Sequence, residues 1–376
     1  MWRLAAFFLL LGMAFADSPH PTLAIGSSAP DFSLPGIDGK VHKLSDYAKA
    51  KVLVIVFTCN HCPTAQLYEP RIKKIAADYS NRGVTLVAIQ PNNPDAIRLD
   101  ELGYTDVSDS LPEMKIRAAY RHFNFPYLYD GETQKVANEY GPKATPHAFV
   151  FDAQRKLRYE GRVDNNQRVA LVTKHDLRDA IDEVLAGKPV TENHTGVFGC
   201  STKWIEKEAG REAEMKKIEA EPVTVQLASA ADLKKLRTNP TDKLVVVNFW
   251  ATWCGPCINE FHDLETTYRM YRLRDFNMVM VSANMPDEKE GVMKLLNREH
   301  ASGRNLLFGS TDTYAMQAAF DPKWDSGVPY TVLLAPGGKV LYRETGQVDI
   351  LKLRRIILGN LPDPDYKGHR TYWATE

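Results

Sequence analysis

The chain has 376 residues, with 47 Lys and Arg against 47 Asp and Glu, and is 44% hydrophobic and 25% charged. That length favours two domains over one, and the charge balance excludes the electrostatic footprint that nucleic acid or an anionic membrane surface requires. At the start, Met1-Trp-Arg3 is short and basic, Leu4 to Phe15 is apolar, and Ala14-Phe-Ala16 is an A-x-A cleavage pattern before Asp17. This predicts a cleavable signal over 1–16, too short for a comfortable membrane span, and an exported, oxidising compartment such as the bacterial periplasm. No cysteine follows the cleavage pattern, which argues against a bacterial lipid anchor.

Ile25 to Leu44 reads as a strand, a Gly-containing turn and a second short strand. Lys51 to Phe57 is an apolar run of the kind a buried parallel strand needs; Thr58-Cys59-Asn60-His61-Cys62-Pro63 follows, then a helix to about Asn81. Next come a strand over Val84–Gln90 and helices over Leu111–Phe123 and Thr133–Tyr140. Strands over Ala148–Phe151 and Lys156–Glu160 follow, then a closing amphipathic helix over Arg168–Ala186 ended by Gly187 and Pro189. Residues 205–221 are charged and helical in composition, which predicts a solvated linker helix.

The same strand, Cys-x-x-Cys, helix order returns as Lys243–Asn248, then Phe249 to Cys257, then an amphipathic stretch to about Arg272. This half closes with strands over Tyr330–Ala335 and Lys339–Glu344 and a helix over Asp349–Gly359. Two copies of one unit imply a duplicated domain. Cysteines at the start of a helix meet unpaired backbone N–H groups and the positive end of the dipole, which favour a thiolate; Pro256 fits a first turn because its missing N–H has no partner there. Half of a zinc site is the alternative for such a pair, although no second C-x-x-C or H-x-x-x-H lies at zinc-finger spacing.

Phe249-Trp-Ala-Thr-Trp-Cys-Gly-Pro-Cys257 resembles the active-site segment of TlpA-like thiol–disulfide oxidoreductases, over about Pro222 to Leu361. The Gly26–Leu44 opening resembles the redoxin (AhpC/TSA-like) branch of the thioredoxin fold. The resemblance implies an α/β chain of two tandem thioredoxin-like domains, each a central mixed β-sheet flanked by helices, over 17–204 and 222–361. Residues 205–221 join them, and the tail 362–376, which has no periodicity, is expected to pack its aromatics on the second domain. It implies cis peptide bonds at Pro146 and Pro329, with Thr145 and Val328 facing a bound peptide. Where thioredoxins carry a buried Asp, this chain has Asn248, and Glu260 is the expected substitute in proton transfer. Thr195 to Trp204 resembles the Gly-Cys-Ser-x-Lys-Trp segment of exported redoxin proteins.

Each Cys-x-x-Cys supplies an attacking and a resolving thiol, so Cys59 and Cys254 are expected to attack, and Cys62 and Cys257 to resolve; of the second pair only Cys254 should be exposed enough to attack. His61 before the second cysteine resembles strongly oxidising DsbA-type proteins and should lower the Cys59 pKa; Gly255-Pro256 resembles the reducing type. The expected partners are protein thiols or disulfides and an electron donor in the membrane or in solution, with no cofactor. A thiol peroxidase is the alternative enzyme, yet its Pro-x-x-x-Thr-x-x-Cys loop is absent, since Val52 and Val56 occupy those positions. A copper or zinc redox chaperone using Cys59, His61, Cys62 and His147 is the alternative binding module. Cys200, the odd cysteine, is expected to pack back on the first domain as a third thiol, or else as an inert small hydrophobe.

Overall fold

The computed structural model describes residues 20–324, 327–362 and 373; the predicted signal 1–16 and the tail aromatics Tyr366 and Tyr372 lie outside them. Both apolar runs are central strands, Val52–Phe57 and Leu244–Trp250, and every residue of each is buried. A strand buried on both faces needs no polar alternation, which is why these runs read as continuous Val, Ile, Leu and Phe.

Around them stand two mixed sheets. In the first, Tyr127–Tyr129, Val84–Gln90 and Val52–Phe57 run parallel, and His147–Phe151 and Leu157–Gly161 complete the sheet antiparallel. The second repeats this centre: Leu244–Trp250 pairs parallel with Phe276–Ser282 and antiparallel with Tyr330–Leu334, which pairs with Val340–Thr345. Arg304–Phe308 and Gln226–Ala228 extend its parallel edge. The helices Pro63–Tyr79 and Gly255–Tyr271 cross over between the parallel pairs, as a parallel connection requires. Buried apolar clusters fill both faces of each sheet.

The two halves touch through the segment 97–106 of the first. Ile97 and Leu102 join the apolar cluster beneath the helix Gly255–Tyr271, and Tyr271 Oη donates to the Thr105 carbonyl at 2.7 Å. Asp106, fully buried, binds Arg117 at 3.2 Å on its own half and Arg355 at 2.8 Å from the other. The tail's Trp373 lies in the same cluster, under the Arg117 guanidinium. The expected closing helix over Arg168–Ala186 is shorter, Asp176–Leu185. Asn165 takes the N–H groups of Thr173 and Lys174 on its side-chain oxygen, holding the preceding segment as a loop, and Val169 and Leu171 there have no core to enter. No helix among the described residues is long and apolar enough to cross a membrane.

Candidate functional site

The two Cys-x-x-Cys pairs sit at equivalent strand-to-helix turns but out of phase with their helices. In the second half Leu244–Trp250 ends four residues before the helix, so Cys254 is the N-cap and its sulfur accepts the Cys257 N–H at 3.3 Å. These two cysteines form a disulfide, with Cys254 6% and Cys257 1% exposed. Cys254 is therefore the more open of the pair, although buried, while Trp253 beside it is 65% exposed. In the first half the helix starts later, at Pro63, and the N-cap is Cys62, whose sulfur accepts the Ala65 N–H at 3.5 Å. The expectation that the helix end stands behind Cys59 is corrected: relative to its cysteine pair the helix begins three residues later here, so Cys62 takes the N-cap.

Electrostatics follow this phase. Burial pushes the Cys62 thiol up, but donors from Cys200 and Cys59, the His61 charge and the Ala65 N–H outweigh it and hold the thiol well below its ordinary range. Burial and its neighbour Cys62 push Cys59 well above that range, against the Thr145 hydroxyl 3.1 Å from its sulfur. The expected action of His61 on Cys59 is thus redirected to Cys62.

His61 is set by a residue that sequence reasoning missed. Burial lowers the imidazole pKa, but Asp109 raises it further, through its charge and a 2.6 Å bond to Nδ1. The Asp109 carboxylate also accepts Asn60 N–H at 2.8 Å, His61 N–H at 3.1 Å and Asn92 Nδ2 at 2.8 Å, and it ionises more readily than usual despite complete burial. The only local signal was an acid directly before the Ser110 to Glu113 capping box of the helix Leu111–Arg121. Nothing in the chain order pairs position 109 with position 61.

The alternative copper or zinc set of Cys59, His61, Cys62 and His147 does not assemble. His147 continues the strand and spends both ring nitrogens away from the thiols: Nε2 on Glu160 at 2.7 Å and Nδ1 on the Lys143 N–H at 3.2 Å. Cys59, His61 and Asp109 do lie close enough to hold an ion, with ligand atoms within 4.8 Å of one another. Both Asp109 oxygens are already taken by N–H donors, so that trio fits a hydrogen-bonded dyad beside a thiol better than a metal centre.

Pro146 and Pro329 both follow cis peptide bonds. Thr145, expected to face a bound peptide, instead pairs antiparallel with Cys200 of the chain itself, and Ala144 with Ser201. No strand pairs with Val328 among the described residues. In the second half Glu260 is buried against the strand: Asn248 Nδ2 donates to it at 3.0 Å and the Val348 N–H at 2.8 Å, while burial raises its pKa. Pro256 stands in the first helical turn, as its position predicts.

Among known proteins, a thiol–disulfide oxidoreductase ResA of Geobacillus thermodenitrificans is 23% identical over 164 residues, 43% of this chain and 79% of that one. A Mycobacterium tuberculosis protein named as a candidate peroxiredoxin is 25% identical over 137 residues, 36% of this chain and 82% of that one. The crystal structure of an uncharacterised conserved protein from Geobacillus kaustophilus aligns at 37% identity and a TM-score of 0.43, covering 48% of this chain and 92% of that one. The Redoxin family matches residues 24–181 and again 216–354. A thioredoxin-type α/β fold carrying thiols at the ends of its central strands, matched twice along its length, belongs to the Redoxin family and to its oxidoreductase chemistry.

Proposed function

We propose that the chain is an exported thiol–disulfide oxidoreductase that exchanges disulfides with protein substrates at two sites, one in each of two tandem domains, 17–204 and 222–361. The observation that carries this reading is that each half holds one cysteine at the N-cap of a helix with a second cysteine three residues away. An N-cap sulfur receives backbone N–H groups and the helix dipole, both of which stabilise a thiolate, and the neighbouring thiol releases the mixed disulfide within one turn. At the second site Cys254 attacks and Cys257 resolves. At the first site the stabilised thiolate is Cys62, which closes a disulfide with Cys59 when the site is oxidised, and the Asp109–His61 pair stands beside it. An electron donor in the membrane or in solution recharges both.

Peroxide reduction is the weaker reading despite the mycobacterial relative. The residues seven and three before Cys59 are Val52 and Val56, both inside the buried strand, so the proline and threonine of the peroxide-activating loop are missing from those positions. The test is reduction of insulin disulfides by the full chain, alongside Cys254→Ser/Cys257→Ser and Cys59→Ser/Cys62→Ser variants. Activity in both double variants, absent when all four are replaced, supports two working sites; inactivity of the unmodified chain with thiol donors of widely different potential overturns the reading.

A further inference from the structure

The edge that the cis-proline loop offers to a peptide in the first half is filled by residues 193–205, which cross it as a strap. The strap is fastened on both sides of Cys200. Upstream, Thr195 Oγ1 meets Tyr159 Oη at 2.8 Å and accepts the Arg162 N–H at 3.0 Å. Downstream, Lys203 exchanges bonds with Asn92, Asn93 and Gln134, the Ile205 N–H donates to Gln134 at 2.8 Å, and Trp204 stacks on His20. Between these points Cys200 lies opposite Thr145 and donates its backbone N–H to Cys62 Sγ at 3.3 Å. Gly199 makes this approach possible, since a Cβ there would fall 2.0 Å from the Thr145 carbonyl oxygen.

The consequence is an ordering of the thiols by depth. Cys59 and Cys62 are 2% and 0% exposed beneath the strap, whereas Cys200 is half-buried. Of the three thiols Cys200 is the most open to a macromolecular disulfide, and the strap covers the pair below. We propose that Cys200 is a third catalytic cysteine, which meets the client disulfide first and exchanges with Cys62 through an internal Cys62–Cys200 disulfide. This deepens the function proposed above and rests on it.

The electrons balance as follows. Cys200 Sγ attacks the client disulfide, its proton passing to the departing client sulfur while Cys62 stays a thiolate; the client S–S bond breaks, one client sulfur leaves as a thiol and the other is joined to Cys200. Cys62 then attacks Cys200 Sγ, freeing the second client sulfur. Cys59 attacks Cys62 Sγ, forming Cys59–Cys62 and returning Cys200 to its starting state. Two electrons pass from the Cys59–Cys62 dithiol to the client, and the thiol protons follow to the client sulfurs.

The test uses the full chain with Cys254→Ser/Cys257→Ser, so that only the first site reacts. In this background Cys59→Ser and, separately, Cys59→Ala are oxidised with stoichiometric oxidised glutathione, quenched in acid, alkylated and mapped by peptide mass. A Cys62–Cys200 bridge is expected in both. Cys62 carrying glutathione beside a free Cys200, or both thiols free, overturns the proposal. In the parent with Cys59 intact, Cys200→Ser should lose most of the first-turnover rate with insulin, and an unchanged rate overturns the role of Cys200 as first contact. Because the mapping needs no client protein, a bridge formed in a chain that fails to reduce insulin would sink the proposed function while leaving the three-thiol exchange standing.

Discussion

Asp109→Asn probes the first site through its least visible residue. The carboxylate accepts four N–H donors on two oxygens, two of them backbone groups of the thiol loop, all with complete burial. An amide keeps the shape but offers one acceptor oxygen and turns an NH2 toward at least one donor. Breaking a buried charged pair from one side costs about 3–5 kcal/mol, so the variant should unfold at clearly lower denaturant. The second effect is electrostatic. Without Asp109, burial pulls the His61 pKa down, and the Cys62 thiolate loses the support of the imidazolium beside it. An opposite charge at this range shifts a pKa by about 1–3 units, so Cys62 should titrate at least ~1 unit higher. One unit is about 1.4 kcal/mol of lost preference for the reduced site, or a fall of about 30 mV in its potential.

The assays are thiolate absorbance against pH and a glutathione redox titration, both on the Cys254→Ser/Cys257→Ser background. A destabilised variant whose Cys62 titration and potential are unchanged would refute the electrostatic argument and leave Asp109 a purely structural residue. The pH dependence of the parent has a definite sign. His61 has a folded pKa raised above 6.5, so its contribution is complete below that value and is lost as pH rises through the folded pKa. Asp109 is depressed below 3.8, so its contribution is present above that value and is lost as pH falls through the folded pKa. The reduced first half should be stabilised by the pair most fully between about 4 and 6.5.

Cys257→Ser should accumulate a mixed disulfide between Cys254 and a client, while Cys254→Ser should trap none; the reverse pattern on non-reducing gels would reassign the two roles. The Cys59–Cys62 couple should have the higher reduction potential, because a stabilised Cys62 thiolate favours the reduced state; equal or inverted values in redox titrations of the two double variants would remove that argument. Gly199→Ala should push the strap off Thr145 at an overpacking cost of about 1–3 kcal/mol and make Cys62 alkylate faster in the folded chain; unchanged alkylation would mean the strap absorbs the methyl group. Glu260→Gln should slow release of the Cys254 mixed disulfide by about 100-fold and flatten its pH profile, and a profile that keeps its shape would exclude Glu260 from moving the Cys257 proton.

The local grammar of this chain was legible from residues alone. Unbroken apolar runs such as Val52–Phe57 mark strands covered on both faces, and a proline next to a cysteine marks a helix start, so both thiol turns follow from period and punctuation. The strands Phe276–Ser282, Arg304–Phe308 and Gln226–Ala228 of the second sheet lie outside that reading. What tertiary structure decided is what each turn does chemically. The start of the helix at Pro63 rather than three residues earlier makes Cys62, not Cys59, the capped sulfur, a shift within one turn that pattern reasoning does not see. Asp109 reaches His61 across forty-eight residues, His147 turns to Glu160 instead of the thiols, and Cys200 returns 138 residues along the chain to sit on Cys62. Periodicity reports which face of an element is apolar; which buried side chains meet depends on how separate elements pack, and that information is held only by the folded chain.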